Sequence, residues 1–203
     1  MSATSLLLRL TQRSQWRGIK GLCYNERGVS AVEFALIAPV MILVYFGCIE
    51  LSFLMRVDRR VTSTSASLGD LTARLSTVTD ADMHEMFDAA KVMMQPYDAN
   101  AANLRITSLV DSGDGHPKVA WSDAYNLTAL APGTSVAVEP GIVPSPGSVI
   151  MAEVYYNYKS PFGYVLQTER TVSDTFYLRP RRVNEINRTH DKNTNGNPFG
   201  PTS

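Results

Sequence analysis

The chain of 203 residues is 44% hydrophobic and 19% charged, with 13 glycines, 11 prolines and two cysteines. That composition excludes a disordered chain, a collagen-like repeat and a disulfide-dense scaffold, and the length suits one membrane anchor plus one domain of about 120–150 residues. Nineteen basic and nineteen acidic residues cancel to a formal net charge of zero, which leaves no electrostatic case for nucleic acid as a partner. The cancellation hides a polarity. Residues 1–28 hold Arg9, Arg13, Arg17, Lys20 and Arg27 against Glu26, a net of +4, and the remainder carries −4. This basic leader is the first element. Cys23 lies within it and Cys48 in the apolar segment that follows, so no disulfide can form inside the soluble part.

From Phe34 to Ile49, sixteen residues carry no charge; Glu50 interrupts, and apolar character resumes to Met55. As one helix, residues 34–55 would run roughly 33 Å at about 1.5 Å per residue, enough for a bilayer core of about 30 Å. Apolar residues occupy every side, so residues 29–55 read as a transmembrane helix rather than a buried soluble one. The leader directs the N-terminus to the cytoplasm; Arg56, Arg59 and Arg60 beyond the segment pull weakly the other way. Glu33 and Glu50 are costly at such depths, and Glu50 is expected to reach the far interface. Pro39 removes one helix hydrogen bond, a loss that membrane helices tolerate. Lipidation at Cys48 is not expected, because bulky Tyr45 and Phe46 precede it.

Residues 56–96 continue as a helical stalk, with Leu68, Leu71 and Leu75 expected on one apolar face. Thr79-Asp80-Ala81-Asp82 reads as a helix cap, followed by Met83, Met86, Phe87, Ala90 and Met94 as core filling, with Pro96 as the stop. Residues 97–182 then alternate with period two. Leu104, Ile106, Ser108 and Val110 form one strand, a turn runs over 111–117, and Val119–Trp121 return; Val149–Tyr158 and Thr171–Leu178 add two strands. The Pro- and Gly-rich stretch 126–147 is expected as a surface loop, and the polar residues 183–203 as a disordered tail. The fold class is therefore α+β, a long N-terminal helix followed by a small, mostly antiparallel sheet.

No reaction is announced. His84, His116 and His190 have no metal-ligand spacing, and neither a phosphate loop nor a Gly-x-Ser-x-Gly elbow occurs. In DSGDGHP the third position is Gly113 and the twelfth Ser122, where a calcium loop needs ligands. No enzyme activity, cofactor, metal or small-molecule substrate is expected.

The informative stretch is the junction Glu26-Arg27-Gly28-Val29-Ser30-Ala31-Val32-Glu33-Phe34, where a basic run meets Gly, four small or apolar residues, Glu and an aromatic. It resembles the prepilin processing site of the tight-adherence (Tad/Flp) branch of type IV pilin-like proteins. With Val32–Ala35, Pro39 and Gly47–Glu50 in order, the segment is similar to that of TadE/TadG-like minor pilins (pseudopilins). Residues 148–156 and 177–181 resemble the late strands of the same proteins.

The resemblance implies cleavage between Gly28 and Val29 by a prepilin peptidase. It implies a mature chain in which Glu33 and Phe34 serve processing and assembly, Glu33 pairing with the new amine. It also implies a single-pass inner-membrane protein with a cytoplasmic leader, residues 1–28, and a periplasmic or extracellular domain. Such a protein acts structurally in pilus biogenesis and surface adherence. Its partners would be other Tad minor pilins, the assembly machinery and the Flp major pilin, and small residues Ser30, Ala31, Ala35 and Ala38 would admit a neighbouring helix. The chain is several times longer than the short Flp major pilin, which argues against the role of main filament subunit. The alternative is a signal-anchored periplasmic binding or adhesion domain unrelated to pili.

Overall fold

The structure, a computed structural model, describes residues 26–160 and 169–190. It is α+β, with a long apolar N-terminal helix and a four-stranded antiparallel sheet. In order the elements are helix α1 (Glu26–Ala73), β1 (Thr77–Val78), α2 (Asp80–Met93), a 3-10 turn (Ala99–Ala101), β2 (Ala102–Asp111), β3 (Lys118–Tyr125), β4 (Gly147–Tyr158), β5 (Arg170–Leu178) and β6 (Asn187–Arg188). The chain divides into two compact units, Met1–Ile49 and Glu50–Ser203. In the first, the described residues are the helical residues 26–49, which run through Pro39.

In the second unit, residues 50–73 of α1 bury one face. Val57, Val61, Thr64, Ser65, Leu68 and Thr72 follow a spacing of three and four, the stripe a helix presents to a core. This differs from the face expected at Leu68, Leu71 and Leu75. Leu71 is exposed and Leu75 only partly covered. The buried stripe was hidden in the sequence by its hydroxyl residues, of which Ser65 and Thr72 bond within the helix and Thr64 reaches Met94 Sδ at 3.6 Å. Thr72 Oγ1 donates to Leu68 O at 2.9 Å, and Ser65 Oγ to Thr62 O at 3.0 Å. Helix α2 starts at a capping box. Asp82 N donates to Thr79 Oγ1 at 3.2 Å, and Thr79 N to Asp82 Oδ2 at 2.9 Å. The Thr79 hydroxyl and amide together hold the Asp82 carboxyl below its usual value. Met83, Met86, Phe87 and Ala90 point into the core.

The main sheet has the order β3-β2-β4-β5, every neighbour antiparallel. One face, with Leu104, Ile106, Ile150, Ala152 and Val154, joins the helices in the main core. On the other, Leu109, Val119, Val149 and Met151 form a smaller core with Val143, flanked by Leu130, Val136, Val138 and Ile142. The 126–147 stretch thus covers part of the sheet as well as connecting strands. Burial on both faces explains why β2 and β4 are almost continuously covered while edge strand β5 is not. At Gly69, α1 comes close to the sheet. A Cβ there would stand 2.5 Å from Leu178 Cδ1 and 3.3 Å from Ala152 Cβ.

The expectation of a disordered tail over 183–203 is corrected for residues 183–190; residues 191–203 lie outside the described part. Ile186 is completely buried in the main core, and its carbonyl accepts from Trp121 Nε1 at 2.7 Å. Strand β6 pairs in parallel with β1. Arg188, with its side chain 3% exposed, makes five hydrogen bonds. Nε donates to Asp123 Oδ2 at 2.8 Å; Nη2 donates to Asp123 Oδ1 at 3.2 Å and Asp80 Oδ1 at 2.5 Å. Nη1 donates to the carbonyls of Val78 at 3.3 Å and Thr189 at 2.7 Å. These match the five N–H groups of a guanidinium. Burial acts to lower the Arg188 pKa, but the bonds from Asp123 and Asp80 outweigh it and the net direction is upward. Composition suggested disorder because apolar residues are few here; one isoleucine and one saturated arginine suffice to anchor the strand.

Two outcomes follow for the full chain in detergent, read by denaturant unfolding. Arg188→Ala leaves Asp80 and Asp123 buried without their counter-charge and is expected to cost about 3–5 kcal/mol; a loss below about 1 kcal/mol would show that the cluster is peripheral to stability. Gly69→Leu overpacks the helix–sheet contact and is expected to cost about 1–3 kcal/mol. Gly69→Ala should cost less than Gly69→Leu, because it adds a single methyl group against the end of the Leu178 side chain while gaining the same helix propensity of about 1 kcal/mol.

Candidate functional site

The junction residues lie inside α1, so the backbone from Gly28 onward is helical. Val29, Ser30, Ala31, Val32, Glu33, Phe34 and Ala35 are all exposed, and Ala38 is partly covered. At about 100° per residue, Ala31, Ala35 and Ala38 share one stripe of the helix, with Ser30 about 100° round from Ala31. Val29 and Glu33, four residues apart, sit one above the other, a separation of about 5–6 Å between Cβ atoms in a helix. The structure therefore brings Val29 beside Glu33, aligns three alanines, and leaves Ser30 and Phe34 on other sides.

Gly28 has open surroundings, and a Cβ there would meet nothing within 4 Å. Packing in this chain does not ask for glycine at that position. A helical glycine costs about 1 kcal/mol relative to alanine and is correspondingly easier to unwind into the extended backbone a protease needs. Arg27, Glu26 and the leader before them lie outside the residues whose side chains are described.

The helix from Gly28 is long and apolar enough to cross a membrane, and its most apolar stretch is not buried. Phe34, Leu36, Ile37, Val40, Met41, Ile42, Leu43 and Tyr45 all stand more than half exposed. An apolar surface of that extent is far larger than a soluble monomer carries without a membrane or a partner over it. Glu50 departs from the expectation of an interfacial carboxylate. It is only 1% exposed and belongs to the second unit. A heptad ladder could have revealed this: Glu50, Val57 and Thr64 are spaced by seven, as are Leu54, Val61 and Leu68. The buried stripe thus begins before the apolar run ends.

Residues 28–67 match the TadE-like protein family. The matched segment opens at Gly28 and supports a Tad-pilus-associated protein in general. It spans 40 of 203 residues, so it speaks for the junction, the apolar helix and the first turns of the buried stripe rather than for the sheet. No curated protein and no solved structure matches the chain significantly. The TadE-like family is one of pilus components and is not known as enzymatic.

Beyond the TadE-like segment, two polar clusters resemble catalytic arrangements and are internally satisfied. Arg105 clamps Glu153 with Nε at 2.6 Å and Nη2 at 2.8 Å, and Tyr155 Oη donates to the same carboxylate at 2.8 Å. The hydrogen bond to Glu153 raises the Arg105 pKa against the opposing effect of burial. His190 Nδ1 lies 3.2 Å from Asp80 Oδ1, but that carboxylate also holds Arg188. In the 111–117 turn, Asp111 Oδ1 accepts from the amides of Gly113, Asp114 and Gly115, which spends the carboxylate on the backbone. No group of three or more His, Cys, Asp or Glu side chains placed to hold a metal occurs among the described residues.

Because nothing packs on Gly28, Gly28→Ala is expected to leave unfolding of the sheet-bearing unit unchanged within about 0.5 kcal/mol. Thermal melts of the purified full chain provide the check. A larger shift would mean that the glycine serves the fold and not a step acting on the junction.

Proposed function

We propose that the chain is a minor pilin of a Tad (Flp) type IV pilus, made with its leader in the cytoplasm and cut by a prepilin peptidase between Gly28 and Val29. It is then held in the inner membrane by residues 29–55, with its α+β domain on the periplasmic side. It acts structurally, in pilus biogenesis and surface adherence, by packing against other minor pilins, the assembly machinery and the Flp major pilin. The observation that carries this reading is that the TadE-like match begins at Gly28, a glycine with no packing role, at the head of an exposed apolar helix.

The chemistry is consistent. Cleavage removes a leader of net +4 and leaves the helix in the bilayer by its own hydrophobicity. It also creates an α-amino cation on Val29, one helical turn from Glu33. An amine and a carboxylate at that spacing, or on adjacent subunits, offset two charges that are each costly next to lipid. Alanines 31, 35 and 38 permit close backbone approach of a partner helix, the usual means of association where no hydrophobic drive exists between helices.

The test is the intact mass of the membrane-extracted chain, tagged at its C-terminus, from cells with and without the cognate prepilin peptidase. A peptidase-dependent loss of residues 1–28 is the expected result; an uncut mass in both samples would overturn the proposal. Glu33→Ala should leave the domain folded, yet remove the protein from co-purified pilus assemblies.

A further inference from the structure

Three arginines follow the apolar run at once. Met55 ends it, and Arg56, Arg59 and Arg60 come within the next five positions. They sit on the side of the chain that the proposed topology translocates, where positive charge is disfavoured in short flanks, so their presence needs a reason. At 100° per residue, Arg56, Arg59, Arg60 and Ser63 share one side of α1, away from the buried stripe through Val57 and Val61. All three arginines are exposed. Together with Ser63, Pro96 and Tyr97 they line a hollow of about 490 Å³, within the range of about 300–1,000 Å³ typical of small-ligand clefts.

No ion pair among the described residues compensates the charge in that hollow. Elsewhere Arg74, Arg105, Arg181 and Arg188 each hold a carboxylate. Among the described residues, no carboxylate lies within ion-pair distance of Arg56, Arg59 or Arg60. Asp58 lies on a different side of the helix and lines a separate hollow with Arg170. Asp98, next to Tyr97, accepts from the amide of Asn100. Two of the guanidinium groups are held in place without being neutralised. Arg60 Nη1 donates to Met93 O at 3.3 Å, and the Arg56 guanidinium stands 5.4 Å from the centre of the Phe53 ring. Three like charges within two turns repel one another, a cost that an anion in the hollow would reverse.

We propose that Arg56, Arg59 and Arg60, with Ser63 and Tyr97, bind the phosphate headgroup of an anionic phospholipid. Position selects the lipid over other phosphates. Leu51 and Met55 remain exposed on α1, so lipid-compatible surface reaches the residue before Arg56. Eight residues of helix, 56–63, rise about 12 Å, the order of the headgroup layer above a core of about 30 Å. Guanidinium groups suit a phosphate there because they offer paired N–H donors in the fork that its oxygens accept. The bound lipid would fix the depth of the helix and the height of the domain above the membrane. The inference rests on the part of the proposed function that has α1 span a bilayer with its N-terminus in the cytoplasm; it does not depend on cleavage or on pili.

The experiment uses the full chain in neutral detergent, titrated with phosphatidylglycerol or phosphatidylcholine and read by native mass spectrometry. Phosphatidylglycerol is expected to bind preferentially. The triple variant Arg56→Gln/Arg59→Gln/Arg60→Gln should weaken it by about tenfold or more. A charge-matched control, Lys118→Gln/Arg179→Gln/Arg182→Gln, should bind as the unaltered chain does. Should the triple variant lose its circular dichroism signal, Arg59→Gln alone serves, with a smaller loss expected. Undiminished binding by the arginine variant, or an equal loss in the control, would overturn the site. Inorganic phosphate competing at concentrations equal to the lipid's would identify a general anion site and overturn the lipid assignment.

Discussion

One helix carries two kinds of surface, and that constraint organises the chain. An α-helix satisfies its own backbone, so the hydrogen-bond ladder of α1 can continue wherever the surroundings change. The side chains cannot be indifferent in the same way. From Phe34 to Tyr45 they are apolar on all sides and nearly all exposed; from Glu50 onward one stripe is buried against the core of the second unit. Within that stripe, Thr64, Ser65 and Thr72 stand where leucines would be usual. Hydroxyls of this kind return their hydrogen bonds to the helix's own turns or to a methionine sulfur, as Thr72 does with Leu68 O and Met86 Sδ. At Gly69 the missing side chain leaves room for Leu178 and Ala152 of the sheet.

The second unit is closed by its last described residues. The segment after β5 passes back over the core: Arg181 N donates to Ala73 O at 2.9 Å, Arg181 pairs with Asp70, and Ser148 Oγ donates to Asn184 O at 2.5 Å. Ile186 fills the core and Arg188 ties β1, the start of α2 and β3 to β6. A buried charge of this kind adds little net stability compared with an apolar substitute, but it tolerates no vacancy, because two carboxylates would be stranded. It therefore fixes which segments meet. The Arg105–Glu153 clamp between β2 and β4 does the same across the sheet.

Arg56, Arg59 and Arg60, which hold no carboxylate among the described residues, contrast with these. Where an arginine holds the fold together, its guanidinium faces a carboxylate; beyond Met55 three face a hollow and solvent. Arg56, Arg59 and Arg60 stand where the apolar run ends. That is the point at which the apolar helix and the folded unit make different demands on the same few residues, and arginine, with a long apolar stem and a delocalised charge, meets both.

Local chemistry made much of the protein legible. The junction from Gly28 to Phe34, the apolar run, the Thr79 capping box, the methionine-rich α2 and the period-two strands all announce themselves, because each depends on residues near in sequence. The sequence determined that there would be one apolar helix followed by an α+β unit. Only the tertiary structure decided that Glu50 is buried, that the α1 stripe runs through Val57, Val61 and Thr64 rather than Leu71, and that residues 183–190 belong to the fold. Those outcomes depend on partners distant in sequence: Arg188 finds Asp80 and Asp123, and Gly69 finds Ala152 and Leu178. Composition cannot foresee them, since a single buried residue can outweigh the polar residues around it when its contacts are all satisfied.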